Sequence, residues 1–145
     1  MIGTIAISPP ERSPAVGPPP FEVRIRPHRE AVQLRLVGEL DVTTTAQLRA
    51  GVEDAVTAGF SHVVIDLRGL VFMDCAGLRL LLVLSEVARR GSWRLSLVHA
   101  PDAVRRLFAL TATLDVLPFV SPTAISGARP GLKRRRRPNH ARGQD

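Results

Sequence analysis

Apolar and polar residues alternate along the first part of the chain that is not rich in proline. The stretches FEVRIR (21–26) and AVQLRLVGEL (31–40) each repeat with a period of two residues, with apolar side chains at Phe21, Val23, Ile25, Val32, Leu34 and Leu36. Such alternation is typical of half-buried strands. Pro27 and His28 lie between the two stretches, so the sequence predicts a β-hairpin with its turn there.

The period then changes to that of a helix and back to that of a strand. In DVTTTAQLRAGVEDAVTAG, apolar residues recur at helical spacing, at Leu48, Val52, Ala55 and Val56. The threonines at 43–45 offer an N-cap for this helix, and Gly59 can end it. HVVIDL follows as a continuous apolar run with β-branched residues, which indicates a strand covered on both faces.

Four further segments follow in the order helix, strand, helix and short strand: AGLRLLLVLSEVARRG, WRLSLVHA, DAVRRLFAL and LDVLPFV. The predicted element order is therefore β-β-α-β-α-β-α-β. Strands that alternate with helices form a mostly parallel sheet. The sequence thus predicts a single α/β domain with an N-terminal hairpin and helices packed on the sheet.

Composition separates this domain from its two ends. Residues 1–20 contain six prolines and predict a disordered arm, the domain should span 21–122, and 123–145 read as a disordered basic tail. The chain carries a formal charge of +7, of which residues 126–145 contribute +6. The rest of the chain is therefore close to neutral, at +7 minus +6, and predicts no basic nucleic-acid surface spread over the domain.

The junction between the buried strand and the next helix, in GLVFMDCAGL, is the candidate functional element. This loop should lie beyond the carboxyl end of the strand, where open α/β sheets place their sites. Asp74 can cap the helix, and Cys75 and Ala76 fall in its first turn, where free N–H groups favour an anion. Gly77 would let another surface approach the backbone closely. Cys75 could be a nucleophile, a redox sensor, a semi-buried filler or a replacement for another residue.

The residue types and their spacing do not indicate a catalytic site or a metal site. A cysteine nucleophile needs a base, and His62 and His99 lie at strand positions with no visible arrangement around Cys75. The four histidines are scattered and no second cysteine exists, so we expect no enzyme activity, cofactor or metal site. No apolar run reaches the length of a membrane span, the N-terminus lacks the features of a signal peptide, and a single cysteine fits a reducing compartment. We therefore expect a cytoplasmic protein.

Three segments resemble, in order and spacing, the STAS domain of bacterial anti-sigma factor antagonists: GELDVTTTAQLRAGVEDAV, VVIDLRGLVFMDCAGLRLLL and LVHAPDAVRRLFALTATLDVLPFV. The resemblance covers about residues 21–122. It implies a STAS fold and a binding module that is not an enzyme. The implied partner is an anti-sigma factor, often a serine kinase with an ATP fold like that of histidine kinases. Binding to it frees a sigma factor for transcription.

The resemblance also implies a partner surface. In the family, the kinase phosphorylates a serine in an Asp-Ser-Ser/Thr-Gly-Leu motif, and a phosphatase reverses the reaction. Asp74, Gly77 and Leu78 match this motif. Asp41 matches a position that faces a basic patch on the kinase, and Gly38 and Glu39 match the turn that contains it. The predicted partner-binding residues are Asp41, Asp74, Cys75, Ala76, Gly77 and Leu78.

The sequence departs from the family at the phosphorylated position. Cys75 stands where the family carries the phosphoacceptor serine, and Ala76 follows it, so no hydroxyl is available and we expect no phosphorylation at residue 75.

Three alternative functions stay open. The chain could be a STAS module of another assembly, in lipid transport or stress sensing. It could be a thiol-gated sensor, or its KRRRRPNHAR tail could bind nucleic acid weakly and without sequence preference.

Overall fold

The computed structural model of the chain describes residue 17, residues 19–98 and residues 100–121. The predicted basic tail (123–145) and nearly all of the proline-rich arm (1–20) lie outside these residues, as does His99. The predicted domain boundaries and the disorder of both ends therefore stay predictions.

The described residues form one five-stranded sheet in the spatial order β1-β2-β3-β4-β5. Its strands are β1 (Glu22–His28), β2 (Ala31–Leu40), β3 (His62–Met73), β4 (Arg94–Val98) and β5 (Phe119–Val120). β1 and β2 pair antiparallel, and all the later pairs are parallel. The α/β class and the N-terminal hairpin are confirmed, and β3, which contains HVVID, is the middle strand of the sheet.

Three helices bury their apolar residues against one face of the sheet. They are α1 (Thr45–Thr57), α2 (Cys75–Arg90) and α3 (Asp102–Leu110). Leu48, Leu81 and Phe108, one from each helix, join a single buried cluster with alternate residues of β2 such as Leu34. Burial of these aliphatic side chains is the main favourable contribution to folding. In the helices and in β2, the spacing of apolar residues in the sequence identifies the buried positions. In β1 it does not, because Ile25 is 59% exposed.

Two local predictions were wrong, and strand pairing explains both. The hairpin turn lies at Arg29 and Glu30, because Pro27 pairs with Val32 and His28 with Ala31; Arg29 takes the positive φ of 54° that closes the turn. GLVFM, the first half of the predicted loop GLVFMDCAGL, belongs to β3, which runs to Met73. The second half of β2 supplies pairing partners for it, with a bulge on either side of Gly38.

Gly38 is required by the backbone at this bulge. It has a φ of +96°, a conformation that residues with a Cβ rarely adopt. A Cβ at this position would also lie 2.7 Å from the carbonyl oxygen of Pro19. The residues before β1 therefore run directly against the end of β2, which leads into the site.

Candidate functional site at the strand ends

The site is formed where two parallel strands end side by side. Leu40 of β2 and Met73 of β3 are register partners, so Asp41 and Asp74 are the first residues of two adjacent loops. The backbone N–H of Asp74 donates to the carbonyl oxygen of Leu40 at 3.2 Å. The structure thereby brings together two residues that lie 33 positions apart in the sequence.

The carboxylate of Asp74 joins the two loops. Its Oδ1 accepts a hydrogen bond from the backbone N–H of Gly77 at 3.0 Å, so the predicted cap of α2 is confirmed. Its Oδ2 accepts from the backbone N–H of Val42, in the loop after β2, at 3.2 Å. Hydrogen bonds to a charged group are stronger than those between neutral groups. Asp74 therefore fixes the start of α2 relative to the loop that carries Asp41.

Asp41 shapes its own loop. Its Oδ1 accepts from the backbone N–H of Thr43 at 2.9 Å and from the Thr43 hydroxyl at 2.6 Å. These hydrogen bonds from Thr43, the hydroxyl first, lower the pKa of Asp41 below its ordinary value of 3.8. The residue is partly exposed, so it presents an ionised carboxylate at neutral pH.

Thr44 stands at the N-cap position of α1, as predicted, but its side chain bonds to the preceding turn and not to the helix. Its hydroxyl donates to the carbonyl oxygen of Glu39 at 2.9 Å and accepts from the backbone N–H of Asp41 at 2.9 Å. The threonine therefore closes the turn around Asp41 and does not satisfy the helix start.

The lowered pKa of Asp41 gives a direct prediction. Replacing Thr43 by valine removes the 2.6 Å hydroxyl bond and should raise the pKa of Asp41 towards 3.8, as measured by NMR titration of the carboxyl carbon. Thr45→Val is the control, because the Thr45 hydroxyl donates to the carbonyl oxygen of Val42. Because the folded state lowers this pKa, its contribution to stability is present above pH 3.8 and is lost as the pH falls through the folded value. A wild-type Asp41 pKa at or above 3.8 would contradict the observed geometry.

The four motif residues after Asp74 differ in exposure. Cys75 is the first residue of α2 and is exposed, so the interpretation as a semi-buried filler was wrong. Ala76 is partly buried, whereas Gly77 and Leu78 are buried. Cys75 and Ala76 are therefore accessible to a partner, whereas Gly77 and Leu78 pack inside the domain beneath them.

The packing of the domain leaves no room for a side chain at Gly77. A Cβ at this position would lie 2.8 Å from the carbonyl oxygen of Leu40 and 2.9 Å from side-chain carbons of Leu40 and Met73. The close approach predicted at this glycine is real. The approaching surface is the pair of strand ends beneath α2.

Exposed apolar side chains at the strand ends were missed by the sequence reasoning. Val42 is 71% exposed and follows Asp41 directly, and Phe72, two residues before Asp74, is 48% exposed. Val42 was read only as part of the lead into a helix, although an apolar residue between Asp41 and Thr43 was a usable signal. We call Asp41, Val42, Cys75 and Ala76 the strand-end surface.

The other candidate groups lie away from this surface. His62 begins β3, at the opposite end of that strand, and its ring contacts Ser96 at 2.8 Å and Arg94 at 3.2 Å. Within the described ranges, no group of three or more His, Cys, Asp or Glu could hold a metal ion. In the same ranges, none of the helices has the length and apolar character needed to cross a membrane.

The fold and the site define a small α/β protein that presents an acid, an apolar side chain and a helix start at the ends of two parallel strands. A family model described as "Mlab, STAS domain" matches residues 23–118. The chain therefore belongs to the STAS domain family.

Relatives with assigned functions agree with this membership. An anti-sigma F factor antagonist of Paenibacillus polymyxa is 26% identical over 100 residues, covering 68% of this chain and 86% of the relative. One of Lysinibacillus sphaericus is 35% identical over 81 residues, covering 55% and 69%. The solved structure of the anti-sigma factor antagonist SpoIIAA in its unphosphorylated form superposes with a TM-score of 0.57 at 26% identity, covering 70% of this chain and 86% of that one.

Proposed function

We propose that this chain is an anti-sigma factor antagonist that binds its anti-sigma factor through the strand-end surface. The observation that carries the proposal is the Asp74 carboxylate, which bonds to the N–H groups of Gly77 and Val42 and so holds two loops in one rigid arrangement. Rigid presentation reduces the entropy lost when a partner binds. The family membership and the relatives named as anti-sigma F factor antagonists support the same function.

The partner we infer is a kinase-type anti-sigma factor, and its binding frees a sigma factor for transcription. The ionised carboxylate of Asp41 suits a basic patch on such a partner, as the family resemblance implies. The exposed Val42 beside it offers an apolar contact that excludes water from the ion pair. An acid next to an exposed apolar side chain is a suitable anchor for a protein partner.

We further infer that the kinase does not phosphorylate residue 75. A thiol replaces the hydroxyl there, and the neighbouring threonine hydroxyls are engaged within the loop. Thr43 donates to Asp41 at 2.6 Å, Thr44 to Glu39 at 2.9 Å and Thr45 to Val42 at 3.3 Å. Antagonism by this chain is therefore constitutive or controlled by something other than serine phosphorylation.

The contribution of Asp41 can be tested with a substitution that keeps the loop. Asp41→Asn retains an oxygen that can accept from Thr43 but removes the charge. We expect binding to the anti-sigma factor to weaken by about 2 kcal/mol, mainly through a faster off-rate, because a charge in the interface loses its partner. Surface plasmon resonance measures both rates.

Asp115→Asn is the matched control, because it removes one exposed carboxylate from the loop between α3 and β5. It should leave the off-rate unchanged. Equal effects of the two substitutions, or no effect of Asp41→Asn, would exclude Asp41 as an anchor and leave the strand-end surface without its charged contact.

Thiol gating is a second candidate for the control of binding, because Cys75 is exposed at the start of α2. Oxidation of the thiol to a sulfenic acid would add a polar group within the strand-end surface. Mild peroxide treatment of the wild type should then abolish partner binding, and a thiol reductant should restore it. Cys75→Ala should bind with or without peroxide. Peroxide-resistant binding of the oxidised wild type would exclude this form of control.

A further inference from the structure

The strand register collects arginines on the face of the sheet opposite the helices. Side chains of register partners project to the same face, and successive residues of a strand alternate between faces. Arg24 of β1 pairs with Arg35 of β2, which pairs with Asp66 of β3. Arg26 pairs with Gln33, and Arg94 of β4 pairs with His62, both on this same face. We call Arg24, Arg26, Arg35, Arg68 and Arg94 the arginine face.

Two of these arginines already have carboxylate partners on the face. Arg68 forms a two-pronged pair with the fully buried Asp66, with its Nε 3.0 Å from Oδ1 and an Nη 2.8 Å from Oδ2. Burial alone would raise the pKa of Asp66, but the hydrogen bonds from Arg68 outweigh it and the pKa is lowered. Arg24 contacts Glu22 at 3.2 Å. These pairs hold the centre and one edge of the face together.

The other three arginines, Arg26, Arg35 and Arg94, form no salt bridge with a carboxylate among the described residues. The charge of Arg35 nevertheless helps to lower the pKa of Asp66, its register partner. The Nε of Arg35 is buried without any hydrogen-bond acceptor among the described residues, which is costly for a charged group. Arg35 also lies directly opposite Arg24, an arrangement of like charges that destabilises a sheet. An anionic group bound over the face would offset the repulsion between Arg24 and Arg35 and would pair with Arg26 and Arg94.

None of the described helices packs on this face. The buried apolar side chains of α1, α2 and α3 belong to the cluster on the other side, whereas Val64 and Val98, buried on the arginine face, lie outside that cluster. Arg24, Arg26, Arg68 and Arg94 are exposed. Their guanidinium groups are therefore accessible to a partner.

We propose that the arginine face is a second binding surface, which takes an acidic segment of a partner protein. Carboxylates match the forked geometry of arginine donors. The carboxylates of this face are already engaged, because Asp66 is buried and accepts from Arg68 and Gln33, and Glu22 contacts Arg24. Arg26 and Arg94 are the exposed arginines left for added carboxylates. No Phe or Trp lies in the register rows that contain Arg24, Arg26 and Arg94; the exposed Phe72, register partner of Glu39, lies on this face beyond both bulges, towards the strand ends. A nucleic-acid base therefore finds no aromatic side chain to stack on among these arginines. These features favour a protein partner over a nucleic acid.

The test compares two double variants of the full chain that lose the same charge. Arg26→Gln/Arg94→Gln alters the arginine face, and Arg105→Gln/Arg106→Gln alters exposed arginines of α3. Fluorescence anisotropy measures binding of a labelled oligoglutamate peptide and, separately, of a labelled DNA duplex. The face variant should bind the peptide about fivefold to tenfold more weakly than the wild type, and the α3 variant should bind within about twofold of it.

Three results would overturn the proposal. Equal weakening by both double variants would mean that the peptide responds to overall charge, including that of the basic tail. Unchanged binding by the face variant would exclude the face. A duplex that binds more tightly than the peptide and depends on the face variant would assign the surface to nucleic acid. Unchanged midpoints of thermal unfolding in both variants ensure that binding alone is compared.

Discussion

Asp74→Ala is expected to lower the free energy of unfolding by about 2–3 kcal/mol and to abolish partner binding. The substitution removes the N-cap bond to Gly77, and loss of such a cap costs about 1–2 kcal/mol. It also removes the hydrogen bond from the backbone N–H of Val42, which then loses its acceptor. Without the shared carboxylate, the Asp41 loop and the helix start are no longer held together. Chemical denaturation and a binding titration measure the two effects.

Asp74→Asn tests the same hydrogen bonds with a smaller expected loss of stability. The amide has one oxygen, so it can accept from Gly77 or from Val42 but not from both. We expect the asparagine variant to lose about half of the stability lost by the alanine variant. If Asp74→Ala unfolds with the wild-type free energy and binds the partner normally, the carboxylate does not hold the two loops, and the structural basis of the proposed function is wrong.

Gly77→Ala should lower the free energy of unfolding by about 1–3 kcal/mol, because overpacking of a tight contact forces neighbouring groups to shift. The added Cβ would lie 2.8 Å from the carbonyl oxygen of Leu40, a backbone atom that cannot move without disturbing β2. The helix start must then move away from the strand ends. Cys75 moves with it, so partner binding should weaken together with stability.

Gly51→Ala is the matched control, since it makes the same change inside α1. A Cβ there would meet only Val23 and Leu34 side-chain atoms at 3.8 and 3.9 Å, which is ordinary contact. We expect this variant to be more stable than the wild type by up to about 1 kcal/mol, as alanine favours a helix over glycine. A stabilising Gly77→Ala would contradict the packing at the start of α2.

The elements of the fold were predictable because their local patterns agree with their final environment. The alternation in β2 corresponds to one buried and one partly exposed face, and the continuous run in β3 corresponds to a strand between two parallel neighbours. The extension of β3 to Met73 was not predictable, because GLVFM has no alternation of its own. Its strand conformation comes from pairing with Gly38, Glu39 and Leu40, which are remote in the sequence.

The residues of the site were predictable from the sequence, but the hydrogen bonds that join its two loops were not. Asp74 as a helix cap follows from sequence alone, whereas its second bond, to Val42, depends on the register between β2 and β3. The arginine face was missed for the same reason. The near-neutral charge of the chain before residue 126 conceals the arginines that strand pairing gathers on one face of the sheet.

The most direct test of the proposed function is the release of sigma factor from its complex with a kinase-type anti-sigma factor of the same genome, after each antagonist has been incubated with that kinase and ATP. We expect the wild type to release sigma factor fully and to carry no phosphate, since Cys75 and Ala76 supply no hydroxyl. Cys75→Ser should become labelled and lose this activity. Failure of the wild type to release sigma factor from any such complex, or its inactivation by ATP through phosphorylation, would contradict the account.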